Sequence, residues 1–375
     1  MKGFACVEVE KTFLRALELV QGADDVTRMI EARRGLFSYY YGRGEHSRAR
    51  AQGDQVVALG EQRGDRAACT QGYWMRGCIA SWQGDVRVAR EELGKAIARY
   101  DPCEPRAKGL ALQIDLGVNA RSHQSWVLWI LGRPDQAVQA CDRAVATARD
   151  LAQPYALAMA LYFACATYAC RGEYPAVGQL LAELVTVTRD NGFKFFASCA
   201  RLLKAQELIV GDQCLAGIEM VARGLAEFSA QEAGPGVPWA LSIAATGYAR
   251  LGRVEEGLAT LVTAFAAMAR NGERHWEAEL WRLKGELLHM RGTVDCAEAQ
   301  ACLRAAIGIA LNSGARALEL RARTSQARLL DNSAGGAQAL EELALTLREF
   351  TEGRDTADIR SACLILEKNN RTTWG

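Results

Sequence analysis

Proline is scarce in this sequence, with seven in 375 residues, and runs that alternate β-branched with polar residues are few. Strands therefore have almost nowhere to form. An excess of one charge is also missing: 45 Lys and Arg face 44 Asp and Glu, for a net charge of +1. That balance removes the usual electrostatic footing for nucleic acid or an anionic membrane as the main partner. No uncharged apolar stretch of about 18 residues is present to span a bilayer. The opening residues reach Glu8, Glu10 and Lys11 at once, without the apolar core of a secretory signal. No two of the twelve cysteines stand in the C-x-x-C spacing of a zinc or redox site. Cys78, Cys141, Cys165, Cys199 and Cys302 lie instead near alanines in helical text, where a free thiol is a small buried apolar group. A reduced, cytoplasmic protein is the expectation.

What the sequence does contain is a repeat. Glycine-centred turns recur at Gly44, Gly84, Gly132, Gly172, Gly211, Gly252 and Gly292, at intervals of 40, 48, 40, 39, 41 and 40. Each turn follows an apolar run of helical spacing and precedes another, as in Ala137, Cys141, Ala144, Val145 and Ala148 after the third. Small and aromatic residues fall at fixed places around the turns. One unit has Tyr73, Gly77, Gly84, Ala89 and Ala96, and another has Trp281, Gly285, Gly292, Ala299 and Ala306. Antiparallel helices pack closely only where small side chains meet at the crossing, and the aromatic fills the neighbouring hole.

This is the pattern of a tetratricopeptide repeat, with helices longer than its usual period of about 34 residues allows. The expected fold is all-α, an α-solenoid of about eight tetratricopeptide-like helix pairs with a period of about 40 residues. In that repeat class such an array winds as a right-handed superhelix. Residues 1–375 read as a single helical-repeat domain, with a half repeat over 1–25, helix pairs over 26–349, and a cap and tail over 350–375. An insertion at Asp101–Gly117, holding Pro102 and Pro105, reads as a connector across one edge. The eighth turn, Asp331–Gly336, reads as a looser loop.

Several strings carry a more specific resemblance. They are Lys2-Gly3-Phe4-Ala5 with Glu8-Val9-Glu10, then Leu131-Gly132-Arg133-Pro134-Asp135-Gln136-Ala137, then the run from Glu277 to Leu288. Leu318-Glu319-Leu320-Arg321-Ala322 and the run from Phe350 to Asp358 complete the set. In this order they resemble the C-terminal region of bacterial multidomain regulators with an ATPase module upstream, often preceded by a class III adenylate/guanylate cyclase domain. The resemblance covers nearly the whole chain. It implies regulatory binding and no catalytic residues in this segment. Arg354 departs from it, standing where the closing motif has an aromatic residue. No G-x-x-x-x-G-K-[ST] phosphate loop occurs, so the nucleotide chemistry of the larger proteins does not carry over. With Met1 at the start of the repeats, the chain reads either as an excised domain or as a gene that keeps the repeats alone.

In the tetratricopeptide fold the first helix of each pair lines the concave face, through positions thirteen, ten, six and three before the turn glycine. Carried onto this sequence, that register gives Gln71, Trp74, Cys78 and Ser81, then Asn119, Ser122, Trp126 and Trp129, then Met159, Tyr162 and Arg201. Further along it gives Trp239, Ser242 and Thr246, then Glu279, Arg282, Glu286 and His289, then Arg321, Ser325 and Arg328. The wall is aromatic in its first two thirds and charged in its last. The groove candidates are Trp74, Asn119, Trp126, Trp129, Tyr162, Arg201, Trp239, Glu279, Arg282, Glu286, His289 and Arg321. Aromatic rings there offer large burial with few rotors to a peptide or a flat ligand, and they equally suit inter-repeat core. Glu279, Arg282 and Glu286 are spaced to pair with one another along one helix face.

Chemistry is harder to find. His275 and Glu279 stand four apart on one face, but H-E-x-x-H is absent and no third ligand is evident, so no metal is expected. His123 and Asp115 are weak candidates for a proton-transfer pair near Trp126. No G-x-S-x-G nucleophile motif is present. No cofactor is expected. The leading functional reading is an adaptor or regulatory sensor that binds a protein or peptide in an aromatic-lined concave groove, with neither nucleic acid nor membrane as partner. Its alternative is a small-molecule-binding protein, or a cofactor-independent enzyme of cyclisation or isomerisation type, holding a small apolar ligand inside the solenoid. Self-association through an exposed end is a further option, since the half repeat Glu8–Gln21 is an imperfect cap.

Overall fold

The computed structural model describes residues 7–21, 25–101, 114–292, 296–331 and 335–369, which form helices and, among the described residues, no strand. Helix α1 (Val7–Gln21) precedes eight antiparallel pairs among these residues. The first four are α2 (Val26–Gly42) with α3 (His46–Arg63), α4 (Arg66–Trp82) with α5 (Val86–Arg99), α6 (Leu116–Ile130) with α7 (Pro134–Asp150), and α8 (Pro154–Arg171) with α9 (Tyr174–Asn191). The second four are α10 (Lys194–Val210) with α11 (Cys214–Ala230), α12 (Val237–Arg250) with α13 (Val254–Asn271), α14 (Glu277–Arg291) with α15 (Cys296–Ser313), and α16 (Arg316–Leu329) with α17 (Gly336–Arg348). Helix α18 (Ala357–Lys368) packs on the last pair. Most of the expected connector at Asp101–Gly117 and the centre of the loop after Asp331 lie outside the described residues, as does the string Lys2–Ala5.

Local chemistry sets the helix starts. Asp25, Asp65, Asp85 and Asp115 each accept a backbone N–H three residues on, at 3.1, 3.0, 3.3 and 2.8 Å, which satisfies one orphan donor of the first turn. Pro134, Pro154, Pro175 and Pro238 occupy the first or second helical position, where the missing N–H costs nothing. The helix ends follow a finer rule than the 40-residue spacing suggests. Left-handed backbone recurs at residues 132, 152, 172, 192, 212, 232, 252, 272 and 292, every 20 residues, so both the turn inside each pair and the turn between pairs use it. The fifth turn corrects the sequence expectation, because Gly211 has φ −82° and Asp212 carries the left-handed conformation at φ 63°. Aspartate tolerates that conformation better than most residues, and its carboxylate pairs with Arg250 at 2.7 Å.

The predicted small residues sit at the crossings. A methyl group placed on Gly77 would lie 2.7 Å from Leu93 Cγ, and one on Gly285 would lie 2.9 Å from Leu303 Cγ. Ala89, Ala96, Ala299 and Ala306 are fully buried opposite them. One apolar core runs continuously from Leu17 to Leu318, and a second cluster, including Leu343, Leu347, Phe350, Ile359 and Leu366, lies under α16 to α18.

The array also returns on itself. Gly234 N–H donates to the Gly42 carbonyl at 2.9 Å, and Arg274 N–H donates to the Trp82 carbonyl at 2.9 Å. Phe350 packs on Gly132, and Ala357 fills the space beside Gly172. Four successive turns of the first half thus dock against four segments of the second half. The tie is strongest at the C-terminal strap, residues 350–357. There Glu352 accepts the N–H groups of Asp135 and Gln136 at 2.9 and 3.1 Å, and Asp135 accepts Gly353 N–H at 3.0 Å. A carboxylate on the exposed donors at the start of α7 is favoured by the helix dipole as well as by the hydrogen bonds.

Candidate functional site

The return of the chain decides what happens to the inner face of the first half. Trp74, Asn119, Trp126, Trp129 and Tyr162 are all buried. Their rings meet other rings rather than open space: Trp74 lies 5.3 Å from Phe37, Trp126 lies 5.2 Å from Trp82, and Tyr162 lies 5.0 Å from Phe163. Trp129 reaches across to Trp276 at 6.1 Å. Trp126, against His275, and Trp129, against Trp276, form the seam between the two halves, and Trp74, Asn119 and Tyr162 are packed among neighbouring repeats beside it.

The titratable groups of that region are sealed in with them. His123 Nδ1 lies 2.9 Å from the Asn119 carbonyl and must donate to it, leaving Nε2 to face the Cys78 sulfur at 3.2 Å. Burial pushes its pKa down to about 4. Asp115 caps α6 through Val118 N–H and accepts the Tyr100 hydroxyl at 2.8 Å, so it serves the helix start and is not among the hydrogen-bond partners of His123. His275 lies edge-on between Trp82 and Trp126 at 4.9 and 4.7 Å, and burial lowers its pKa to about 3. Glu279 turns away from it toward arginines. Among the described residues, no three His, Cys, Asp or Glu side chains converge to hold a metal ion.

The second half keeps open volume. A cavity of about 260 Å³ forms where α10, α12, α14, α16 and α18 meet on the inner face. One side is apolar, with Ile209, Trp239, Ile243 and Trp276. The Trp276 indole N–H donates to the Ser242 hydroxyl at 2.9 Å, which fixes the ring. The other side is a charged network. Arg282 donates twice to Glu279, at 2.8 and 2.9 Å, and pairs with Glu286 at 2.6 Å. Arg321 donates to Asp358 at 2.9 Å, approaches Glu279 at 3.6 Å and lies over the Trp129 ring at 4.8 Å. Burial alone would raise the Glu279 carboxyl, but the Arg282 and Arg321 guanidiniums overcome it and hold the pKa at about 2. For Asp358 burial wins, and its pKa is raised despite Arg321.

Of the twelve groove candidates, Trp239, Glu279, Arg282 and Arg321 line this cavity. Glu286 stands just behind it, accepting the Ser325 hydroxyl at 2.6 Å. Arg201 pairs with Glu227 at 2.8 Å away from the lining residues, and His289 is exposed near the end of α14. Nine lining residues escaped the register, among them Trp276, Tyr174, Asp358 and Ser361. Trp276 lies one further step of three upstream of Glu279, Tyr174 opens a second helix rather than a first, and Asp358 and Ser361 belong to α18, which no turn glycine follows. The string Phe350–Asp358 was the available signal for the last two. Among the described residues, no helix is long and apolar enough to cross a membrane.

No family model and no curated protein matches this chain. Solved structures do. A Rap protein complexed with Competence and Sporulation Factor is similar with a TM-score of 0.61 and 11% identity, covering 93% of this chain and 100% of that one. The chain has a tetratricopeptide-like helical-repeat fold. More distant are apo RapI (TM-score 0.48, 9% identity, 80% of this chain and 99% of that one) and a signal transduction ATPase with a tetratricopeptide repeat sensor from Pyrococcus horikoshii. The last has a TM-score of 0.44 and 12% identity, with 91% of this chain covered and 53% of that one.

Proposed function

We propose that this protein is a regulatory receptor or adaptor that binds a segment of a polypeptide on the inner face of its second half. The observation that carries the reading is the cavity bounded by Trp239, Trp276 and the Arg282–Glu279–Arg321–Asp358 network. It joins apolar walls that reward burial to fixed polar groups that select an orientation, the combination found in recognition pockets. The similarity to a Rap protein complexed with Competence and Sporulation Factor supports the same direction. A balanced net charge of +1 favours polypeptide over nucleic acid as the partner. A cytoplasmic setting belongs to the same proposal and rests on the unpaired thiols, of which Cys78, Cys141, Cys165 and Cys199 are buried.

The small size of the cavity favours a second reading, a small-molecule carrier. Native mass spectrometry of protein purified from its own host, followed by denaturation, separates the two. A retained polypeptide that is lost in the Trp239→Ala variant supports the receptor reading. A retained small molecule lost in the same variant replaces it with the carrier, and a retained oligonucleotide overturns both.

A further inference from the structure

We propose that the cavity takes the C-terminal residue of its polypeptide ligand, with the terminal carboxylate on Arg328 and Ser361 and an apolar side chain against Trp239 and Ile243. The proposal rests on the receptor reading above and specifies its ligand.

Three guanidiniums line the cavity, and two of them are already neutralised in place. Arg282 is held by Glu279 and Glu286, and Arg321 by Asp358 and Glu279. Arg328 differs. It is exposed, it follows Arg321 by two helical turns on the same face of α16, and its hydrogen bond goes to the neutral Ser361 hydroxyl of α18. Among the described residues it has no carboxylate partner. Because Arg328 is exposed while Glu279 is buried and Asp358 half-buried, the unneutralised charge marks the mouth of the cavity and the acidic groups lie deeper.

That arrangement selects the ligand. An anion is attracted at the rim, and a fork-shaped guanidinium beside a hydroxyl suits a planar carboxylate. A second negative charge carried inward would meet Glu279 and Asp358, so a monoanion with an apolar body fits and a dianion does not. At about 260 Å³ the cavity falls below the roughly 300–1,000 Å³ of pockets that enclose drug-sized ligands, so it holds one large residue rather than a peptide. A terminal residue whose side chain points inward leaves the rest of its chain to run out through the mouth.

The test uses full-length protein and two pools of random pentapeptides, one with free C-terminal carboxylates and one amidated. Retention on the immobilised protein is read by mass spectrometry. Free acids ending in apolar residues should be enriched on the order of tenfold over their amides, the scale of a lost charge-assisted hydrogen bond. Arg328→Gln should remove that enrichment while leaving the thermal midpoint unchanged, because the side chain is exposed. Ser361→Ala, a milder change, should reduce it. Equal retention of acids and amides overturns the carboxylate proposal and leaves the receptor reading standing. Retention of neither pool, with indole-3-acetate shifting the tryptophan fluorescence, overturns both in favour of a small acid. Retention of neither without such a shift removes both outright.

Discussion

Helices α6 and α14 present the same four register positions to the inside of the solenoid. In α6 these are Asn119, Ser122, Trp126 and Trp129, and all four are buried. In α14 they are Glu279, Arg282, Glu286 and His289, of which Glu279 alone is buried and His289 is exposed. One backbone plan thus yields a filled seam in one half and a lined cavity in the other. The difference is one of side-chain physics. Aromatic rings from opposite sides meet edge to face and bury one another. Guanidinium–carboxylate pairs must keep their hydrogen-bond geometry and some hydration, so opposing walls of that kind hold apart.

The sharpest way to break this contrast is to shorten one ring in each half. Trp126→Ala should cost about 3–5 kcal/mol in urea unfolding, as a cavity opened within a packed seam. Trp239→Ala borders volume that is already open and should cost clearly less. Equal losses would mean the two inner faces are packed alike. Removing Arg321 comes next. Arg321→Met leaves the half-buried Asp358 without its cation and Glu279 with Arg282 alone, and a loss of roughly 2 kcal/mol at pH 7 is expected from the uncompensated Asp358 charge. Adding Asp358→Asn to that variant should restore part of it.

Acid separates the seam from the cavity by pH range. His123 and His275 are neutral in the folded protein, with pKa values of about 4 and about 3 against an ordinary 6.5. The unfolded chain therefore takes up protons first, and stability falls as pH drops below 6.5, by at most about 1.4 kcal/mol per pH unit for each ring. Glu279, held at about 2, contributes stability that is present above its ordinary 4.5 and lost only as pH falls toward 2. The unfolding free energy should thus fall from pH 7 to pH 5 chiefly through the seam histidines, and His275→Asn should lessen the fall. The raised Asp358 carboxyl opposes it in the cavity, gaining stability as it protonates in the fold. Smaller still, Glu352→Gln should cost about 1 kcal/mol at the start of α7 and raise amide exchange in 350–357 before the rest. The least change is expected from Ala152→Gly. The exposed alanine holds φ 50°, and relief of that strain, partly offset by backbone entropy, should raise stability by up to about 1 kcal/mol.

Much of this was readable from residues alone, and the parts that were not have physical causes. Gly77 and Gly285 announced the helix crossings because only a missing side chain lets Leu93 and Leu303 approach so closely. The inward register places Trp239, Glu279, Arg282 and Arg321 on the cavity wall, while Arg201 and His289 at the same register do not line it. At two of the turns between pairs Ala152 and Glu232 adopt left-handed backbone without being glycine, which breaks the 20-residue spacing of glycines. The seam was illegible for a deeper reason. Whether Trp126 faces a ligand or Trp82 and His275 depends on the second half curling back onto the first, and no spacing within one repeat encodes a contact made across so many others. Asp358 shows the same limit from the other end, since its partner Arg321 lies 37 residues away on a different helix.

The strap that joins Glu352 and Gly353 to Asp135 also changes how the molecule can come apart. An ordinary solenoid behaves as a row of neighbours and loosens from its ends, one unit at a time. Here the last helices are bound to the middle of the chain, with partners 217 and 218 residues apart. Such long closures slow the search during folding and gather the repeats into a single cooperative event. Loss of the strap should be felt first at α7, far from the cut, and a chain built as a string of repeats should melt as one body.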